Sequence, residues 1–160
     1  QAFEIGSWGD NVNVKIPITN SKGESSVELI NLLSNQGVKV NVTAMMTMDQ
    51  VKEVIPGLAA GAGGYVSVFA GRIADTGRDP MPIMSKIVQI LDNYPNVELI
   101  WASPRELFNV VQADSIGCHI ITATNNILRK LPTLGKDLTQ FSLETVRMFY
   151  NDALAANFKL

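Results

Sequence analysis

The chain of 160 residues has one cysteine, Cys118, and one histidine, His119. A lone cysteine excludes an internal disulfide and suits a reducing cytoplasm. With a single histidine beside it, too few soft ligands remain for a zinc site. Charge is also scarce: 13 Lys and Arg stand against 15 Asp and Glu, a net charge of −2. That balance offers nothing to attract nucleic acid or an anionic membrane surface. Apolar runs stop well short of the ~18 residues that a membrane-spanning helix needs. The chain opens on Gln1 with neither a methionine nor the charge pattern of a signal peptide, inside a helix that QAFEIGSWGD completes. This is read as a start partway through a longer protein.

What is present is ordinary globular material. A hydrophobic share of 46% with 18% charge fits one domain with a real core, and the length promises no second domain. Short β-branched runs recur: NVNVKIPIT (11–19), VKVNVTAMM (38–46), YVSVFA (65–70), VELIWAS (97–103) and HIITAT (119–124). Helical patterns fill the gaps, such as Val27, Ile30 and Leu33 ahead of Gly37. A second has Val51, Val54, Ile55 and Leu58, with Pro56 expected to kink or shorten it. Further helices are predicted over 80–94, from Pro104 near its first position, and from Ser142 as N-cap to Leu154. Five strands, each followed by a helix at a period of roughly 22 to 32 residues, indicate parallel βαβ units.

An open doubly wound sheet and a (β/α)8 barrel both accept such units. No GxGxxG or GxxxxGK[ST] loop follows the first strand, and GAGG at 61–64 precedes a strand, as a helix-to-strand turn would. Side-chain alternation separates the two folds. One face reads Val12, Val14, Ile16, Val40, Val42, Ala44, Val66, Val68, Ile100, Ala102, Ile121 and Ala123. The other reads Asn13, Lys15, Asn41, Thr43, Ser67, Phe69, Trp101, Ser103, Thr122 and Thr124. A doubly wound sheet needs two apolar faces, whereas a barrel turns its second face inward, with the active site at the strands' C-terminal ends. The chain is therefore expected to be α/β, a (β/α)8 TIM barrel lacking its first three βα units. Five strands cannot close a barrel, so a longer chain is expected to complete it.

Lys15 sits amid Val14, Ile16 and Ile18 and admits two readings. An edge-strand lysine blocks aggregation. Alternatively, an amine in a polar barrel mouth loses solvation, its pKa falls from ~10.4, and the neutral form attacks a carbonyl to make a Schiff base. Beyond the third and fourth strands, GRIADTGRDP and ASPRE bring Arg72, Arg78, Ser103 and Arg105. Two arginines, a serine hydroxyl and a helix beginning at Pro104 would make an anion pocket suited to phosphate. Arg78 ranks last, since Asp75 or Asp79 is available to pair with it. Cys118 and His119 open the fifth strand at the end remote from the chemistry.

Residues 11–46, VSVFAGRIADTG at 66–77, WASPRE at 101–106 and LGKDL at 134–138 resemble transaldolase-type class I aldolases, in that family's order and over nearly the whole chain. The resemblance implies that this sequence is the C-terminal portion of a single barrel domain, residues 1–160, supplying strands four to eight. It implies that Lys15 forms the Schiff base and that Thr43 helps hold the catalytic water. Asn41, Ser67 and Phe69 would line the substrate site, with Arg72, Ser103 and Arg105 on the substrate phosphate. The family's general acid/base and its substrate-binding aspartate lie on strands absent here, so the fragment alone is expected to be nearly inactive. Val68 stands where the family usually has proline. Phe69 stands where aldolase-active relatives have tyrosine, which favours transfer of a dihydroxyacetone unit over its release. The implied reaction takes sedoheptulose 7-phosphate and glyceraldehyde 3-phosphate to erythrose 4-phosphate and fructose 6-phosphate, in the pentose phosphate pathway. A fructose-6-phosphate aldolase activity and an inactive barrel fragment are the alternatives. No metal or organic cofactor is implied, because the lysine is the electron sink, and relatives in the family form dimers or larger rings.

Overall fold

The structure is a computed structural model and describes residues 1–158. A five-residue helix α1 (Ala2–Gly6) leads into strand β1 (Val14–Pro17). Then follow α2 (Val27–Asn35), β2 (Val40–Met45), α3 (Met48–Ala60), β3 (Gly64–Val68), α4 (Ala70–Asp75), α5 (Met81–Leu91) and β4 (Val97–Trp101). The last part carries α6 (Phe108–Ser115), β5 (Ile120–Ile121), α7 (Asn125–Leu128) and α8 (Leu138–Ala155). The strands occur where β-branched runs predict them, but shorter. β1 keeps four residues of 11–19, and β5 two of 119–124.

All five strands are parallel and stand in the order β1-β2-β3-β4-β5. A doubly wound sheet reverses its order at a switch point; this one never does. Right-handed crossovers that always step the same way put the connecting helices on one face, and α2, α3 and α5 pack on β2, β3 and β4 accordingly. The result is the strand order of a (β/α)8-barrel segment, an α/β fold. The core lies between the helices and one sheet face. Val14, Val40, Val42, Met45, Val66, Val68, Leu99 and Trp101 meet Ile30, Leu33, Val51, Leu58, Met84 and Ile87 there. Each such side chain gains about 1.5–3 kcal/mol from leaving water, which fixes which way every strand faces.

Three boundaries differ from the sequence reading. Pro56 neither ends nor shortens α3. It and Lys52 are exposed, so the carbonyl that loses its helical partner turns to water. The N-terminus of α3 is held by a reciprocal cap, in which the Thr47 hydroxyl accepts from Gln50 N–H and Gln50 Oε1 accepts from Thr47 N–H. α6 starts at Phe108, beyond Pro104. α8 starts ahead of Ser142, at Leu138, because Asp137 caps it by accepting from Gln140 N–H at 2.8 Å. GAGG is the expected helix-to-strand turn. Gly63 has φ 73°, and a Cβ there would lie 2.3 Å from Asn96 O, so no other residue fits. Among the described residues, no helix is long and apolar enough to cross a membrane.

Candidate active site

In β1, Val14 turns into the core and alternation puts Lys15 on the opposite face. Lys15 lies in register with Asn41 of β2. The Ser67 hydroxyl of β3 donates to Asn41 Oδ1 at 2.7 Å. Lys15, Asn41 and Ser67 thus form a row across three neighbouring strands, as the sequence predicts. Ser67 is buried and Asn41 half-buried, whereas Lys15 is exposed. The expected loss of solvation at Lys15 is not met, because β1 is an edge of the sheet and only β2 walls it. A groove of about 350 Å³ also touches Lys15 but lies among Ala2, Ile5, Val14, Leu29 and Leu33, apolar residues of α1, β1 and α2. It belongs to helix packing and includes neither Asn41 nor Thr43.

Thr43 stands on the polar face beside a β-bulge. The pairing of β2 with β3 jumps from Val42–Val66 to Met45–Val68, so two residues oppose one, and Ala44 takes the left-handed conformation (φ 62°). The sequence reading put Ala44 on the core face; the bulge gives that place to Met45, which is fully buried. Thr43 keeps its polar parity and is 8% exposed, and its hydroxyl has no hydrogen-bond partner among the described residues. A buried hydroxyl without a partner costs about 1–3 kcal/mol, so such groups persist where a ligand or water uses them.

A second correction falls on β4. Ile100 is in register with Ser67, and Trp101 with Val68. Trp101 is therefore not on the face that carries Lys15 and Ser67; it is fully buried in the helix-side core. The run VELIW carries Glu98 as its only polar marker, and Glu98 shares the parity of Ile100. Ser103 misled the alternation. It lies beyond the strand with φ 61°, so its direction does not continue that of β4.

The predicted anion-binding residues gather where β3 and β4 end. Phe69 precedes α4, and the Arg72 guanidinium carbon lies 5.4 Å from the Phe69 ring centroid, a cation–π contact. Gly71 brings the first turn of α4 against the next loop, since a Cβ on it would stand 1.6 Å from Ser103 O. The Arg105 side chain is engaged by Asp75. Nε donates to both carboxylate oxygens at 3.1 Å, and Nη2 donates to Oδ2. This contact, and then the nearby charges of Arg105 and Arg72, holds the Asp75 carboxyl below its ordinary value. The Arg105 backbone is anchored as well: Asn109, buried, accepts from Arg105 N–H at 2.7 Å and from Glu106 N–H at 3.2 Å. Arg78 stays apart and donates to the Thr76 hydroxyl, while Asp79 caps Met81 N–H.

The structure thus brings Lys15, Asn41, Thr43 and Ser67 to one sheet face. It collects Phe69, Arg72, Ser103 and Arg105 around the start of α4. Asp75 and Asn109 were not foreseen in these roles. Spacing held the only signal, for Asp75 follows Arg72 by one helical turn and Asn109 lies four residues past Arg105.

A family model described as "Transaldolase/Fructose-6-phosphate aldolase" matches residues 1–160. The chain is similar to a "Probable transaldolase" of Thermoanaerobacter sp. (strain X514), 37% identical over 133 residues, covering 82% of this chain and 57% of that protein. It is also similar to a "Probable transaldolase" of Nitrosopumilus maritimus (strain SCM1), 35% identical over 156 residues, 96% of this chain and 65% of the relative. A "Probable transaldolase 2" of Listeria monocytogenes is 35% identical over 134 residues, 82% of this chain and 57% of its own. The chain therefore spans between 57% and 65% of the length of these relatives. A parallel sheet wound in one direction, with a lysine–amide–hydroxyl row on one face, and the match along all 160 residues place this chain in the transaldolase/fructose-6-phosphate aldolase family.

Proposed function

We propose that this chain carries the Schiff-base half of a transaldolase, a transferase that moves a dihydroxyacetone unit between ketose and aldose phosphates. The observation that carries the reading is the row of Lys15, Asn41 and Ser67 beside the buried hydroxyl of Thr43, which has no partner among the described residues. The neutral Lys15 amine adds to the ketose carbonyl and water leaves, forming an iminium. The bond between the carbon next to the iminium and the hydroxyl-bearing carbon beyond it breaks, its electron pair flows into the iminium, the proton of that hydroxyl passes to a base, and an aldose phosphate departs. The resulting enamine attacks the aldehyde of the acceptor phosphate, and hydrolysis frees Lys15. Thr43 holds the water of these steps, while Asn41 and Ser67 orient the sugar hydroxyls. Arg72, Ser103 and Arg105 take the phosphate.

In this reading residues 1–160 form the C-terminal portion of one barrel domain, strands four to eight, and the strands that close it cover Lys15 and remove it from water. They also bring the acid/base group. That group is worth 10²–10⁴-fold, so these residues alone turn over very slowly. Phe69 lacks the phenol that would position water against the enamine, which favours transfer over release of dihydroxyacetone. Such sugar-phosphate chemistry belongs in the cytoplasm, on the pentose phosphate pathway. Self-association into a homo-oligomer belongs to the same reading.

The rival reading, a barrel fragment without activity, draws on the exposure of Lys15. Borohydride reduction with fructose 6-phosphate, followed by mass spectrometry of the peptide containing Lys15, separates the two. A reduced adduct on Lys15 of the complete barrel is expected, and its absence there removes the enzyme reading. Rapid appearance of free dihydroxyacetone without an acceptor would instead assign a fructose-6-phosphate aldolase activity.

A further inference from the structure

We infer that Asp75 is the positioning residue of the phosphate site, presenting the Arg105 guanidinium to the substrate's phosphate group. The inference rests on the reading of Arg105 as a phosphate ligand. Asp75 occupies only the Nε–Nη2 edge of the guanidinium. Both Nη1 hydrogens and the second Nη2 hydrogen remain, which is the edge that grips phosphate oxygens bidentately. An unrestrained arginine spreads over many rotamers, and each binding event would have to collect it into one. Here the backbone is fixed by Asn109 and the side chain by Asp75.

Asp75 is itself placed by a close backbone contact. It ends α4, whose first turn cannot recede from the Ser103 loop without opening the Gly71–Ser103 approach. Its negative charge does not exclude a phosphate. Arg72 and Arg105 both act on Asp75, so the three side chains leave a net positive site. The Arg105 and Asp75 side chains are also 47% and 51% exposed, so water screens the repulsion. A salt bridge that merely tied α4 to the neighbouring loop would stabilise every activity of the protein alike. A positioning role acts only on substrates that bring a phosphate.

The test compares the complete protein with its Asp75→Asn variant, using glyceraldehyde 3-phosphate and unphosphorylated glyceraldehyde as acceptors. The kcat/KM ratio between the two acceptors is expected to fall about tenfold in the variant, through a higher KM for the phosphorylated one, the scale of most of an arginine's rotamer entropy. The inhibition constant of inorganic phosphate should rise in parallel. An unchanged ratio, or an equal loss with both acceptors, overturns the inference, provided that Arg105→Ala does lower the ratio. If Arg105→Ala leaves the ratio unchanged too, the phosphate reading of Arg105 is what has failed, and the inference falls with it.

Discussion

Replacing Gly71 with alanine sets two effects of known size against each other. Gly71 lies in the first turn of α4, and alanine gains about 1 kcal/mol over glycine in a helix. Propensity alone therefore predicts a more stable protein. The added Cβ, however, would lie 1.6 Å from Ser103 O, 2.7 Å from Ser103 C and 3.3 Å from Arg105 Cγ. An ordinary carbon–oxygen contact is more than 3 Å, so α4 and the Ser103 loop must separate by roughly 1.5 Å. Both obstacles at Ser103 are backbone and cannot rotate aside. Overpacking of this kind costs about 1–3 kcal/mol, and the rigid case belongs at the upper end. The net expectation is a loss of about 2 kcal/mol, read as a lower urea midpoint with an unchanged slope. The same displacement would carry Asp75 out of reach of Arg105, whose Nε contacts are now 3.1 Å. Affinity for phosphorylated acceptors should fall as well. Gly57→Ala is the control. Its Cβ also meets Asn31 Oδ1 at 1.6 Å and Asn31 Cγ at 2.5 Å, but both belong to one flexible side chain, whose Oδ1 has no hydrogen-bond partner among the described residues. Gly57→Ala should therefore be neutral or stabilising by up to about 1 kcal/mol. A Gly71→Ala protein as stable as its parent would refute the reasoning, since the close approach of α4 to the loop would not then exist.

Three further outcomes are expected. Thr43→Val removes a buried hydroxyl that has no partner among the described residues; thermal unfolding should show equal or higher stability, while turnover of the complete protein falls by about 10²-fold. Lower stability with full turnover would mean the hydroxyl is structural. Trp101→Ala should cost about 3–5 kcal/mol, as for a fully buried core side chain; a cost below about 1 kcal/mol would return Trp101 to a solvent-facing lumen. Asp75 and Glu144 are held below their ordinary values of 3.8 and 4.5 by hydrogen bonds from Arg105 and Lys136. With folded values depressed, their contribution is complete above those ordinary values and is lost as pH falls below them. Both groups are exposed, so the loss should be small and should vanish at high salt. A double variant, Asp75→Asn with Glu144→Gln, should flatten that part of the acid arm; an unchanged arm would place the effect elsewhere.

Alternation with a period of two is a property of the backbone, so it could be read without coordinates. It gave the shared face of Lys15, Asn41, Thr43 and Ser67, and the single winding of five parallel strands. Repeated β-branched runs and their helical spacers likewise gave the five strands and the longer helices in order, because burial of one face must follow their periods, whereas the short α4 and α7 were not read. Three things lay beyond that reach. Neither the bulge at Ala44 nor the turn at Ser103 follows from residue type, since each left-handed backbone is imposed by the neighbouring strand or loop, and each shifts which face the next residue takes. The Asp75–Arg105 pair joins positions 30 residues apart, and only the packing of α4 on the following loop makes them neighbours. The exposure of Lys15 depends on what stands beside β1, which is a matter of sheet position. Local chemistry chose the residues; contacts between distant segments decided which of them meet.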